Sequence, residues 1–171
     1  MNILINRMIR AARLDAKLYE EVEADKTALT QSILVVILSS LAAGVGSIVQ
    51  AGFFGIITGT IAALIGWLIW SYLAYIIGTK LLPVPETRAD YGELLRTIGF
   101  SSSPGLIRIL GIIPFLFKLT FIIAAIWAFI AMVIAVRQAL DYKSTFRAVG
   151  VCIIGWIIQM IVLAIFFSVV R

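Results

Sequence analysis

Between positions 27 and 79 the chain carries no charged residue. As one helix these 53 positions would extend about 80 Å at 1.5 Å per residue, whereas the hydrocarbon core of a bilayer is only about 30 Å thick. A water-soluble core does not absorb the run either. Of the 171 residues 62% are hydrophobic and 13% charged, with a mean hydropathy of +1.09, and that charged share is about half the usual quarter. Lipid is therefore the expected solvent, and the run must fold back on itself. Ser47, Gln50, Ala51 and Gly52 form the polar, small cluster suited to a tight reversal. Spans are predicted over 29–49 and 53–78, with Trp70, Tyr72 and Tyr75 at interfacial depth near the end of the second.

The rest of the chain divides by the same logic. Residues 80–103 form a polar loop opened by Pro83 and Pro85, which forbid a continuing helix. Within it Thr87 or Asp90 can cap a short helix through Ile98, whose Tyr91, Leu94, Leu95 and Ile98 would rest on the membrane surface. The segment 104–136 is long for one crossing and short for two. Ser101, Ser102 and Ser103 before Pro104 make a helix start, and Pro114 and Lys118 break the run. Two spans, 104–117 and 119–136, or one kinked or re-entrant segment fit it. A last span is expected over 149–170.

The first 26 residues do not have the basic start, apolar stretch and small-residue cleavage site of a secretory signal, and they are expected to be retained. On a helical wheel Leu4, Ile5, Met8, Ile9, Ala12, Ala16, Tyr19 and Val22 gather on one side, and Arg7, Arg10, Arg13 and Lys17 on the other. This predicts an amphipathic interfacial helix whose basic face meets anionic headgroups. Asp15 and Glu23 intrude on its apolar side, which also suits a helix packed on its own protein.

The expected fold is thus all-α: a polytopic transmembrane helical bundle of about five spans, with a cytoplasmic interfacial segment 1–26, a transmembrane domain 27–171 and a cytoplasmic loop 80–103. With the N-terminus inside, 12 Lys and Arg fall on the cytoplasmic side and 2, Lys118 and Arg171, on the other, as basic retention requires. A merged third and fourth span would leave 11 against 3. The net charge of +5 needs no nucleic-acid partner. There is no His, and Cys152 is the single cysteine, so one chain builds neither a disulfide nor a Cys/His zinc site. No cofactor or metal is expected.

Three elements, taken in order along the chain, resemble bacterial members of the Yip1 superfamily, small five-span membrane proteins. A basic N-terminal helix leads into Tyr19-Glu20-Glu21-Val22-Glu23-Ala24-Asp25. Leu94-Leu95-Arg96-Thr97-Ile98-Gly99-Phe100 leads into Ser101-Ser102-Ser103-Pro104. Arg137-Gln138-Ala139-Leu140-Asp141 follows a span that contains Trp127. Gly99, Phe100 and Pro104 look like the family's Gly-Tyr-x-x-x-Pro at the entry to the third span, with Phe in place of Tyr. The resemblance implies topology more than activity. Eukaryotic relatives are associated with vesicle traffic and Rab GTPases, but the long cytosolic N-terminal domain that goes with that role is missing here, so the role is not carried over. The implied location is a bacterial plasma membrane, multi-pass, N-terminus cytoplasmic.

No activated nucleophile or carboxylate pair is visible at membrane depth, so no enzyme is expected. Arg108 is a candidate anion or lipid-phosphate contact, because a charge within a span is costly; placed one turn into its span, it is also suited to snorkelling. Ala51, Gly55, Gly59 and Ala63 recur every fourth residue and offer a helix-packing face. Gly99, Phe100 and Pro104 are read as the third-span entry junction, where Gly99 ends one helix and the serines cap the next. Asp141 is placed to pair with Arg137. The leading expectation is a non-enzymatic protein that works by association, as a scaffold, an accessory subunit of a membrane complex or an organiser of local lipid. Its partners would be membrane lipids, other membrane-protein subunits or a second copy. The alternative is a small transporter, channel or lipid-translocating protein.

Overall fold

The computed structural model describes residues 3–169, the side chains of 162–169 excepted. The ends of the first and last predicted segments, at positions 1–2 and 170–171, lie outside the described residues. Every regular element described is helical: α1 (Ile3–Ala12), α2 (Ala16–Ala24), α3 (Ala28–Gly46), α4 (Ile48–Ile76), α5 (Tyr91–Phe100), a 3-10 helix (Ser103–Ile112), α6 (Phe117–Ala139) and α7 (Thr145–Val169).

The reversal after α3 occurs at Gly52, whose φ of 65° and ψ of −177° break the helical path in a region that a Cβ would strain. From there α4 runs back beside α3, close enough that a Cβ on Gly44 would stand 3.0 Å from Ile56 Cα. A single π-helical turn, Ile77–Leu81, ends α4. Its Gly78 is buried against Leu140, whose side chain leaves no room for a Cβ.

The segment 104–136 folds as a hairpin. A Cβ on Gly99 would meet Ser32, one on Gly105 would meet Ser39, and one on Gly46 would meet the Arg108 carbonyl. The 3-10 helix therefore runs alongside α3 in the same direction. Beyond it Ile113 is extended, Pro114 opens a short 3-10 turn, and α6 returns, with Phe121 near Gly111 and Ala135 in one core with Phe100 and Val35. Three of the described helices are long and apolar enough to cross a membrane: Ala28–Gly46, Ile48–Leu81 and Pro114–Ala139. The backbone of α7 spans 25 residues.

Several expectations change at the N-terminal end. The interfacial helix is two helices, because Leu14 turns left-handed at φ 62° and Asp15 caps α2 by accepting from the Lys17 N–H at 3.0 Å. The break lets α2 fold back on α1. Arg7 is consequently 8% exposed, paired with Glu21 at 2.9 Å and Asp25 at 2.8 Å, while Arg10 pairs with Asp15 at 2.8 Å and with Glu21. Arg13 and Lys17 stay exposed. Met8, Ala11, Leu18, Tyr19 and Val22 pack on Phe100 and Ala135, and the Trp127 indole donates to the Ala12 carbonyl at 2.7 Å. Ile3, Ile5 and Ile9 remain on the outside.

α5 does not rest on a surface. Asp90 caps it in a capping box with Glu93, and everything from Leu94 to Phe100 is buried among α2, α3, α4 and α6. Arg96, 6% exposed, donates to the carbonyls of Val22 and Glu23, tying α5 to the C-terminal end of α2. Tyr142 does the same across the bundle, its hydroxyl donating to the Leu82 carbonyl at 2.7 Å and the Gly78 carbonyl at 3.1 Å. Asp141 sits at φ 54° in the turn after α6, and the chain is no longer helical there. It forms no ion pair with Arg137, whose guanidinium reaches Gln138 and the Thr145 hydroxyl.

Candidate functional site: a groove around Arg108

Between α4 and α6, with α3 and the 3-10 helix behind, lies a cavity of about 590 Å³. It takes this form because the two sides have different side chains. On α4, Gly55, Gly59, Ala63 and Gly66 succeed one another at helical spacing and line it; nothing stands within 4 Å of where a Cβ on Gly59 or Gly66 would be. Trp156 and Gln159 of α7 line the same cavity, and among the described side chains none fills the space beside Gly59 and Gly66. Ala51, the first residue of the predicted face, sits exposed beside the Gly52 turn. Close helix approach occurs elsewhere, at Gly46 and Gly105, where a Cβ would come within 1.9 Å of the Arg108 carbonyl oxygen and 2.1 Å of the Ser39 hydroxyl.

That tight seam also sets the depth of Arg108. A 3-10 helix advances about 2.0 Å per residue against 1.5 Å for an α-helix, so the chain travels further per residue than one α-helical turn would carry it. The Arg108 carbonyl lies at Gly46, the last residue of α3, and its Nη1 falls back toward Gly105, opposite Ser39. Ser39 is about 16 Å along α3 from Ala28, roughly the middle of a 30 Å core. The guanidinium thus lies level with the middle of α3.

Arg108 is the single charged residue among those lining the cavity. Its Nε is buried without a hydrogen-bond partner, and among the described residues no carboxylate pairs with it. Its guanidinium carbon lies 5.8 Å from the centroid of the Phe121 ring, a cation–π contact that offsets part of the cost of the charge. Around it the walls present hydroxyl and amide groups: Ser39, Ser40, Ser47, Ser101, Ser102 and Gln159. Near the end where α5 packs, the Trp70 indole N–H also lacks a partner. Several of these hydroxyls are committed to their own backbone, Ser40 to the Ile37 carbonyl at 2.8 Å, Ser47 to the Ala43 carbonyl at 2.9 Å and Ser101 to the Ile98 carbonyl at 2.7 Å, as are Thr58 and Thr60 outside the cavity. The lining thus holds one cation and no acid, a balance of charge that favours an anion.

The entry junction has a different construction from the one its sequence suggests. Gly99 is inside α5, not at its end, and is required because α5 crosses Ser32 so closely that a Cβ would stand 2.4 Å from the Ser32 Cβ. Phe100 is fully buried. Ser101 and Ser103 do not cap; their hydroxyls donate back to the Ile98 and Phe100 carbonyls, both at 2.7 Å. Pro104 occupies the first turn of the 3-10 helix. Of the residues singled out from sequence, Gly55, Gly59, Ala63 and Arg108 meet at one cavity, the junction borders it through Ser101 and Ser102, and the basic N-terminal residues are remote from it. Gly66 and Phe121 escaped the sequence reading, and Trp70 was expected at interfacial depth, although continuing the i, i+4 row of α4 from Ala63 by steps of three and four reaches Gly66 and Trp70.

No curated protein and no solved structure matches the chain. Residues 16–167 match the Yip1 domain, a family not known for enzymatic activity, and that stretch takes in α2, every apolar helix and the whole groove. The all-helical bundle with its long apolar helices is therefore a multi-pass membrane protein that belongs to the Yip1 domain family.

Proposed function

We propose that the chain is a non-enzymatic organiser of local lipid, which holds a phosphate-bearing headgroup at Arg108 while the acyl chains lie along the small-residue face of α4. The observation that carries this reading is a guanidinium level with the middle of α3, with no carboxylate partner among the described residues, in a cavity otherwise lined by small residues, hydroxyls and large apolar side chains. A charge at the centre of a span costs at least about 2.5–3.5 kcal/mol on insertion scales, so it is retained where a counter-charge visits. Five crossings, with the 3-10 helix as the third and the N-terminus in the cytoplasm of a bacterial plasma membrane, complete the reading; the 12-to-2 distribution of Lys and Arg supports that orientation.

The test is lipid binding by the purified full chain in a neutral detergent, read by native mass spectrometry. Wild type is expected to retain phosphatidylglycerol or phosphatidylcholine over an uncharged diacylglycerol, and Arg108→Gln to lose roughly ten-fold in that preference, the worth of a charge-assisted contact of about 1.4 kcal/mol. Competition by inorganic phosphate in place of lipid would assign the site to a soluble anion. Equal retention of diacylglycerol and phospholipid would sink the reading.

A second reading keeps the groove but changes its occupant. Gly59 and Gly66 leave a strip where another helix can approach closely, which supports an accessory or scaffolding role with a transmembrane helix of another subunit or of a second copy seated there. Crosslinking from Gly59→Cys in native membranes to a protein would favour it over lipid.

A further inference from the structure

The turn between α1 and α2 is seated on the apolar part of α6. No charge occurs between Lys118 and Arg137, and the 18 positions between them extend about 27 Å, close to the roughly 30 Å of a hydrocarbon core. At the Arg137 end, the Gln138 amide donates to the Glu20 carboxylate at 2.6 Å. Trp127 lies 11 residues earlier, about 16 Å along the helix, and its indole donates to the Ala12 carbonyl at 2.7 Å. The hairpin therefore lies along α6 with Glu20 at the helix end and the turn at Ala12 lower, within the charge-free stretch. Ile123, Ile126 and Ile130 stand exposed on either side of Trp127, so the flank that holds the turn is one that a span presents to lipid.

The hairpin is built to suit that place. The Arg13 N–H donates to the Ile9 carbonyl at 2.9 Å and so continues the helical path of α1. Ile5, Ile9 and Arg13 consequently fall on one stripe, and all three are exposed. Arg7 and Arg10 are taken up by Asp15, Glu21 and Asp25. Arg13 and Lys17 are left exposed, and among the described residues neither side chain meets an acid.

We propose that the hairpin is half-inserted in the leaflet on the Arg137 side of the membrane, where Arg13 and Lys17 hold the phosphates of anionic phospholipids beside α6. The inference is independent of the Arg108 site. A cation on a turn below the headgroups does not stay in hydrocarbon: its side chain extends back to the phosphate level with its methylenes along apolar surface. Arg13 and Lys17, from one turn and the helix that follows it, reach that level together and favour anionic lipid over zwitterionic lipid, whose own cation offsets its phosphate. Ile5 and Ile9 supply an apolar stripe for the acyl chains, from which a free anion would gain nothing. Depth and charge thus select a lipid. Of the four cations that the sequence places on one basic face, folding uses two to close the hairpin and leaves two for the membrane.

The experiment uses the full chain with Cys152→Ser and a fluorophore on Ile9→Cys, reconstituted in vesicles of phosphatidylcholine and phosphatidylglycerol. A nitroxide on the lipid acyl chain should quench the label and aqueous iodide should not; the reverse overturns the insertion. At equal amounts of acyl-nitroxide phosphatidylglycerol or phosphatidylcholine, the anionic lipid should associate preferentially, by about five-fold for each cation and roughly thirty-fold for both. Arg13→Gln should remove about five-fold, and Arg13→Gln with Lys17→Gln should abolish the preference at unchanged melting temperature, as both side chains are exposed. Arg13→Lys and Arg108→Gln should each keep it. Equal quenching by the two lipids in wild type, or a preference that survives in the Gln double variant, overturns the proposal. So does a preference lost to inorganic phosphate but not to sodium chloride of the same ionic strength, which would mark a site for a free anion. A preference lost in Arg108→Gln and kept in the double variant assigns the lipid to the groove, overturning this proposal and leaving the Arg108 reading in place.

Discussion

Glu23 faces a small cavity bordered by Glu20, Glu93, Arg137 and Asp141. Burial first, and then the charges of Glu93 and Asp141, push its carboxyl up to about 7, with the nearby Arg96 opposing the shift. Arg96 relieves little of this, since its guanidinium is committed to backbone carbonyls. The folded protein therefore holds a proton on Glu23 that the unfolded chain gives up near the ordinary glutamate value of 4.5, so stability falls as pH rises from about 4.5 to about 7 and is lowest, in this respect, above that. Glu23→Gln should remove that part of the pH dependence and raise the melting temperature at pH 8 while changing little at pH 4. An equal gain at both values would show that position 23 is not the titrating group. Little of this was readable beforehand. The sequence places Glu23 on the apolar side of a wheel, a sign of inward placement, but Glu93 and Asp141 come beside it only through the packing of α5 and the α6–α7 turn.

At the level of elements, the seam of α3 with α5 and the 3-10 helix is where sequence and structure diverge most. Gly99→Val should lower the melting temperature sharply, because Ser32 on the facing helix occupies the space and the contact includes its backbone. A loss of about 2 kcal/mol or more is expected from overpacking of this kind. Ser102→Ala should cost little, as its side chain makes no capping bond; circular-dichroism melts in detergent compare the two. A Gly99→Val melt like wild type would mean that α5 shifts freely on α3. The sequence marks Gly99 and Pro104 as special but assigns Gly99 a turn, because a glycine needed for close approach and one needed for its dihedral angles look alike in one chain. The apolar helices, the reversal near Gly52 and the Asp90 cap were legible because charge, chain length and local hydrogen bonding decide them. The ten-residue 3-10 helix was not, since runs beyond three or four residues are uncommon and this one is held by tertiary contact through Gly46 and Gly105.

For the whole molecule, orientation is the property that gives the groove its two ends. Single cysteines introduced as Asn2→Cys and as Arg171→Cys, in a Cys152→Ser background, should react with impermeant reagents from opposite sides of the membrane. Labelling of both from one side would require an even number of crossings. The docking of the N-terminal hairpin also imposes an order on biogenesis. α1 and α2 leave the ribosome before the surfaces that hold them, Phe100, Trp127 and Ala135. Until α6 has been inserted, Tyr19, Leu18 and Val22 have no partner surface from those segments. The hairpin must wait at the membrane face, its Arg7 and Arg10 already able to pair with Glu21, and its closure onto the bundle is a late step that marks a chain whose sixth helix is in place.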